Sequence, residues 1–143
     1  MHYQEIQQDL FTKGKDCALA HCISRDCAMG AGIAKEFRRR FPEMPKVLLG
    51  MNPQIGDALF YEENGYQIFN LITKEKYWHK PTYQTFEMSI RNLKKELLVR
   101  NITKLAIPKL GAGLDRLDWE QNREIIQRIF ADTPVEIEVC IWE

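Results

Sequence analysis

The sequence predicts an α/β domain, with helices packed on both faces of a mixed sheet of about six strands. Three observations predict it. Short apolar runs of strand length alternate along the chain with segments of helical periodicity. One run, Cys17-Ala18-Leu19-Ala20-His21-Cys22-Ile23, is almost wholly apolar, as a strand covered on both faces must be. Finally, the residues that carry chemistry collect in three loops at strand ends, Ser24–Gly32, Thr73–His79 and Pro108–Arg116. In open α/β sheets the loops beyond the carboxyl ends of strands are where ligands bind.

Each element has its own signal. Tyr3 to Gln8 alternates and suits a first strand at a sheet edge. It ends at Asp9-Leu10-Phe11, a carboxylate followed by two apolar residues that read as exposed. Gly14-Lys15-Asp16 turns the chain into the central strand, where His21 reads as a core histidine. A helix from about Ile33 to Phe41 stops at Pro42, and Met44 to Met51 suits one further short helix. Ala58 to Tyr61 and Tyr66 to Thr73 read as two strands. Asn64-Gly65 between them is a strong hairpin signal, because both residues tolerate positive φ. Thr82 to Arg100 is the clearest helix, with Phe86, Ile90, Leu93, Leu97 and Leu98 on its apolar face and Asn101 at its end. Lys104 to Ile107 is the next strand. Asp118 to Ala131 is the last helix, with Asp118 and Gln121 in capping-box spacing and Ile125, Ile126, Ile129 and Phe130 inward. Val135, Ile137, Val139 and Ile141 alternate in a final strand.

Bulk composition bounds the function. With 143 residues and no linker or repeat, a single domain spanning 1–143 is expected. Such a domain buries roughly 68–70% of its unfolded surface and needs no staples. Lys+Arg and Asp+Glu are both 20, so the net charge is zero and a general binder of nucleic acid or membrane surfaces is disfavoured. The four cysteines, Cys17, Cys22, Cys27 and Cys140, fit no common metal motif and read as reduced thiols of a cytoplasmic protein. A reactive Cys22 or Cys27 is the other reading. No metal, no cofactor and no membrane partner is expected, and a monomer is.

The loops carry the chemistry. Gly30-Ala31-Gly32 precedes a helix, so free backbone N–H groups and the helix dipole would favour an anion such as phosphate there. Gly111-Ala112-Gly113 repeats the device after another strand and is followed at once by Asp115 and Arg116. Lys35, Arg38, Arg39 and Arg40 read as a solvated helix face, or as a patch for a polyanion. Glu75 to Pro81 holds Tyr77-Trp78-His79, more large rings than a connector needs.

Six blocks, in order, resemble a macrodomain: Asp9-Leu10-Phe11, Leu19 to Ser24, Met29 to Ala34, Leu71-Ile72-Thr73-Lys74, His79 to Tyr83, and Pro108 to Leu117. Within that family the chain is similar to the terminal ADP-ribose protein glycohydrolases, the lysine-dependent branch. The resemblance runs from about Tyr3 to the C-terminus and implies a three-layer α/β/α fold with ADP-ribose in the crevice at the strand ends. It implies that Asp9 bonds the adenine, with Leu10 and Phe11 lining its pocket. Gly30, Ala31, Gly32 and Ile33 would take one side of the diphosphate. Gly111, Ala112, Gly113 and Leu114 would take the other side and the distal ribose, with Ser24, Ile72, Thr73, Pro108 and Arg116 also at the substrate.

It further implies that Lys74 and Asp115 are the catalytic pair, the lysine attacking the distal ribose and the aspartate helping to resolve a lysyl–ADP-ribose intermediate. A lysine amine is a nucleophile only when neutral, and its ordinary pKa is near ~10.4, so burial or a neighbouring cation would have to lower it. Expected substrates are ADP-ribosylated acidic side chains of proteins, O-acetyl-ADP-ribose and ADP-ribosylated nucleic acid. A non-catalytic ADP-ribose reader and an ADP-ribose 1″-phosphate phosphatase are the alternatives. The chain lacks the Asn-rich loop and Gly-Gly-Gly run of the widespread macrodomain hydrolases, so their water-activation scheme does not transfer. Its tail, Ile141-Trp142-Glu143, also departs from expectation, which leaves Trp142's role at the adenine open.

Overall fold

A computed structural model describes residues 1–142; Glu143 lies outside the described residues. These form six strands and four α-helices. In chain order they are β1 (His2–Gln7), β2 (Ala18–Ser24), α1 (Gly32–Arg40), α2 (Met44–Gly50), β3 (Ala58–Glu63), β4 (Tyr66–Lys74), α3 (Tyr83–Val99), β5 (Lys104–Ile107), α4 (Trp119–Phe130) and β6 (Glu136–Ile141). A short 3-10 turn, Leu10–Lys13, follows β1. The sheet order is β1-β6-β5-β2-β4-β3. Every pairing is parallel except β3–β4, the hairpin whose loop is Asn64 (φ 51°) and Gly65 (φ 85°). This is the three-layer α/β/α architecture, with a mixed sheet, that the sequence predicts.

Side-chain alternation divides the core into two layers. Along β2, Ala18 and Ala20 face α3 and α4, while Leu19 and Ile23 face α1 and α2. A strand covered twice cannot show polar alternation, which is why this stretch reads as one apolar run. Phe86, Ile90, Leu93 and Leu97 bury the inner stripe of α3, and each such side chain contributes roughly 1.5–3 kcal/mol by leaving water. Leu98 departs from expectation and is 41% exposed. One residue on from Leu97 is about 100° further round a helix of 3.6 residues per turn, which turns Leu98 off the buried stripe. Leu10 departs the other way: it is buried against the α1–α2 layer, whereas Phe11 is half-buried.

The capping box expected at Asp118 does not form. Asp118 occupies the N-cap position with extended backbone, but its side chain makes no capping bond. Its backbone N–H instead donates to Tyr83 Oη at 3.0 Å, tying the start of α4 to α3. The box occurs at α3, where Thr82 and Thr85 bond each other's backbone N–H groups at 3.1 Å.

The topology makes one crevice. The chain leaves β2 for β4 on one side, then returns through α3 to β5 on the other. The loops beyond the carboxyl ends of β2 and β5 therefore diverge, leaving a cleft of about 1230 Å³.

Candidate active site

The cleft is built at the ends of β2, β4 and β5. Lys74 is the last residue of β4 and pairs in register with Ser24, the last of β2, just past an irregularity between Ile23 and Ser24. Asp115 comes from the loop after β5. Lys74 Nζ donates to Asp115 Oδ1 at 2.6 Å, and the two side chains are 13% and 14% exposed. A charged pair this short and this dry is held by structure on both sides. The loop carrying Asp115 is folded on itself by Ala112 N–H to Lys109 O at 3.2 Å, Arg116 N–H to Gly113 O at 3.2 Å and Leu117 N–H to Gly111 O at 2.9 Å. From beneath, buried Asn122 of α4 donates to Leu110 O at 2.9 Å. Gly111 (φ 71°) is required there, since a Cβ would stand 2.9 Å from Asn122 Nδ2. At the loop's far end, Lys80 Nζ donates to Leu114 O at 2.6 Å.

The opposite lip is the β2–α1 loop. Cys27 (φ 53°), Met29 (φ 48°) and Gly32 (φ 58°) all take the left-handed conformation, an uncommon and mildly costly state for the first two. Helix α1 then begins without a side-chain cap, so among the described residues no side chain takes its first N–H groups. Asp26 organises this lip. Its carboxylate accepts from the Ser24 hydroxyl, from Ala28 N–H at 3.2 Å and from Tyr77 N–H at 3.2 Å. Burial works against the charged form, yet these donors, with Lys76 nearby, hold the carboxyl below its ordinary pKa. One side chain thus fixes both the β2–α1 loop and the Tyr77 segment.

The far end of the cleft is made by Asp9, Leu10, Phe11 and Trp142. Asp9 Oδ1 accepts from Phe11 N–H at 3.0 Å, so one carboxylate oxygen caps the 3-10 turn. Gln8 N–H donates to Ile141 O at 3.1 Å, so the end of β6 lies beside Asp9 and brings Trp142, 69% exposed, to this end. The Arg40 guanidinium lies 4.3 Å over the Phe11 ring, and Phe11 packs on Phe37 at 4.8 Å. Arg40 is thus part of the cleft wall, although its neighbours Arg38 and Arg39 belong to the solvated helix face the sequence suggests.

Most of the predicted site residues meet in this cleft: Asp9, Leu10, Phe11, Ser24, Gly30, Ala31, Gly32, Ile33, Lys74, Pro108, Gly111, Ala112, Gly113, Leu114 and Asp115 all line it. Three do not. Ile72 and Thr73 are buried within β4, because strand residues just before Lys74 belong to the core layers, and Arg116 points to solvent from a left-handed turn position (φ 63°). Sequence reasoning missed Asp26, Lys80, Lys109 and Arg40. Asp26 had a local signal, a carboxylate two residues after Ser24 in a tight loop, where Asp bonds nearby backbone. Arg40 had none, since its contact with Phe11 is purely tertiary.

Burial, with the Asp115 charge beside it, pushes the Cys22 thiol far up, and burial raises Cys27 to about 11. Only the thiolate reacts, so these shifts work against a reactive Cys22 or Cys27 near neutral pH. No group of residues with metal-ligand chemistry occurs among the described residues.

No family model matches the chain. The chain is 40% identical over 134 residues to the human ADP-ribose glycohydrolase OARD1, covering 94% of this chain and 88% of that protein. It is 31% identical over 135 residues to the DNA ADP-ribosyl glycohydrolase of Mycobacterium tuberculosis, covering 87% of this chain and 38% of that protein. Among solved structures, the macrodomain of M. tuberculosis DarG superposes with a TM-score of 0.87 at 26% identity, over 98% of this chain and 96% of that one. The macrodomain of Thermus aquaticus DarG gives 0.86 at 24% identity, over 99% and 97%. The chain belongs to the ADP-ribose glycohydrolase branch of the macrodomain family, hydrolases that act on ADP-ribosyl linkages.

Proposed function

We propose that this hydrolase removes a terminal ADP-ribosyl group from its acceptor with Lys74 as nucleophile and Asp115 as its proton partner. The acceptors that fit the chemistry are acidic side chains, O-acetyl groups and nucleic acid. The observation that carries the reading is the Lys74–Asp115 contact of 2.6 Å at the floor of the cleft. An amine must shed a proton to attack carbon, and a carboxylate in direct hydrogen-bond contact is placed to take it. In the proposed first step the bond from the distal ribose carbon to the acceptor breaks, and a bond from that carbon to Lys74 Nζ forms. The acceptor leaves with the electron pair, and Asp115 receives the amine's proton. Once that proton has passed from Asp115 to the departing acceptor or to solvent, Asp115 takes a proton from the water whose oxygen displaces the lysine. The electron pair of the carbon–nitrogen bond stays on nitrogen, and the proton returns to the amine.

The cleft supports the matching ligand pose. Asp9, Phe11 and Trp142 offer an acceptor and two rings to an adenine. The uncapped start of α1 and the Gly111–Leu114 loop offer N–H groups to a diphosphate from two sides. The distal ribose would then lie over Lys74.

Two substitutions test the scheme. Lys74→Ala should keep ADP-ribose affinity within roughly tenfold, about 1.4 kcal/mol, while kcat falls to background. Its proposed work lies in the transition state. Lys74→Arg should not restore turnover, because a guanidinium stays protonated. Asp115→Ala leaves the amine to lose its proton to solvent but removes the group that takes the proton of the displacing water. It should therefore slow resolution more than attack, and intact-protein mass spectrometry should find ADP-ribose bonded to Lys74. Full activity in Lys74→Ala would eliminate the covalent route.

A further inference from the structure

The segment between β4 and α3 carries an exposed strip of rings that the cleft's own chemistry does not use. Tyr77 and Trp78 are each 62% exposed, and they meet edge to face with centroids 5.0 Å apart. His79 continues the strip, 5.3 Å from Trp78. Burying such rings ordinarily contributes to folding, and here the fold leaves them wet.

The strip is nevertheless anchored. Tyr77 N–H donates to Asp26 Oδ2 at 3.2 Å, and His79 N–H donates to Lys76 O at 3.0 Å. Lys80 Nζ ties the end of the strip to Leu114 O at 2.6 Å. At its start, Arg25 N–H donates to Lys74 O at 2.8 Å. So the rings stand at a fixed place: Tyr77 is on the cleft wall with Lys74 and Asp115, and Trp78 lies just outside. Resting on the ribose pose proposed above, an acceptor bonded to the distal ribose over Lys74 has Tyr77 beside it on the cleft wall and Trp78 next along the strip.

Charge narrows what that acceptor is. From Lys74 to Lys80 the chain carries Lys74, Lys76 and Lys80 against Glu75 alone, and Glu75 is neutralised by Arg25 at 3.1 Å. Among the described residues, Lys76 and Lys109, the latter on the cleft wall, enter no ion pair. Rings flanked by unpaired cations are what single-stranded nucleic acid needs. Every base has a face to stack, and phosphates take the lysines. An acidic peptide would use the lysines but carries no base to stack on each ring.

We propose that Tyr77-Trp78-His79 is an acceptor subsite that stacks an unpaired base adjoining the ADP-ribosylated nucleotide of a single strand. Trp78 is the residue that sets this preference.

The test is steady-state kinetics of wild type, Trp78→Ala and Trp78→Phe on three substrates. These are a short single-stranded oligonucleotide with one ADP-ribosylated base, an ADP-ribosylated glutamyl peptide, and O-acetyl-ADP-ribose. Trp78→Ala should raise KM for the oligonucleotide roughly tenfold, the order expected for one lost base–aromatic stack, with kcat unchanged. Trp78→Phe should recover most of that loss, since a phenyl face still stacks. O-acetyl-ADP-ribose has no base beyond the bond to be cut, so its kinetics should not move. Oligonucleotide KM unchanged in Trp78→Ala overturns the proposal. So does a larger effect on the peptide, which would make the strip a protein-docking surface, or wild-type turnover of the peptide but not the oligonucleotide. Failure of the Lys74 scheme would be seen separately, as turnover retained in Lys74→Ala.

Discussion

Gly111 and Gly113 stand two positions apart in one loop, yet only one of them is needed by the fold. At Gly111 a Cβ would meet Asn122 Nδ2 at 2.9 Å, on a backbone with φ 71°. Gly111→Ala should therefore cost about 1–3 kcal/mol, from positive φ and a displaced buried amide, measured by urea unfolding. At Gly113 nothing among the described residues lies within 4 Å of an added Cβ. Gly113→Val should leave stability within about 0.5 kcal/mol and weaken ADP-ribose at least about tenfold, because the new side chain occupies the cleft. Unchanged affinity would mean that no ligand approaches this backbone. His21 gives a residue-scale prediction of another kind. It is fully buried, stacked on Phe37 at 3.9 Å, with Nε2 2.6 Å from Asn70 Oδ1. Asn70 Nδ2 already donates to Leu59 O, so its oxygen accepts, and His21 is the neutral tautomer with hydrogen on Nε2. Burial lowers its pKa from 6.5 to about 4. The unfolded chain thus binds this proton first as pH falls. Stability from neutral His21 is complete above 6.5 and is lost as pH drops toward 4. The stability of wild type relative to His21→Leu should fall by about 2 kcal/mol between pH 7 and pH 5. A difference independent of pH would show that the ring is not buried neutral.

The elements divide by how local their causes are. Helix α3 shows a local one: a stripe spaced three and four residues apart, started by a Thr82–Thr85 box. Leu97→Ala should cost about 2–5 kcal/mol and Leu98→Ala under about 0.5 kcal/mol, since the first is fully buried and the second turns outward. Equal costs in denaturant melts would mean that the last turn packs differently. Strand identities, the Asn64-Gly65 hairpin and the glycine loops were legible in the sequence for the same reason: period, propensity and turn chemistry act within a few residues. What escaped depends on partners far along the chain. Asp118 has capping spacing, but Tyr83 of another helix competes for its backbone. Leu10 reads as exposed because one residue cannot reveal that α1 and α2 will cover it. Ile72 and Thr73 lie next to Lys74 in sequence, yet the sheet turns them into the core. The pairing of Lys74 with Asp115 spans 41 positions and followed only from the resemblance, not from spacing.

At the scale of the whole molecule, the cleft is a seam between segments that lie far apart in sequence. Its walls come from the end of β1, the β2–α1 loop, the end of β4, the loop after β5 and the end of β6. A ligand spanning it contacts both edges of the crevice that the crossover from β4 to β5 creates. Binding is therefore linked to every opening that disrupts one of these segments, global unfolding included, because unfolding any of them destroys the site. ADP-ribose should raise the melting temperature in proportion to the logarithm of its concentration, reaching about 2.7 kcal/mol of added stability at a hundred times Kd. Asp9→Ala separates the two roles of its carboxylate. Loss of the bond to Phe11 N–H should cost the ligand-free protein about 1 kcal/mol, as for other lost caps. Loss of the acceptor for adenine should also shrink the ADP-ribose-induced shift at fixed ligand concentration. A variant with a lower melting temperature but an undiminished ligand shift would assign Asp9 to the 3-10 turn alone and move the adenine away from this end of the cleft.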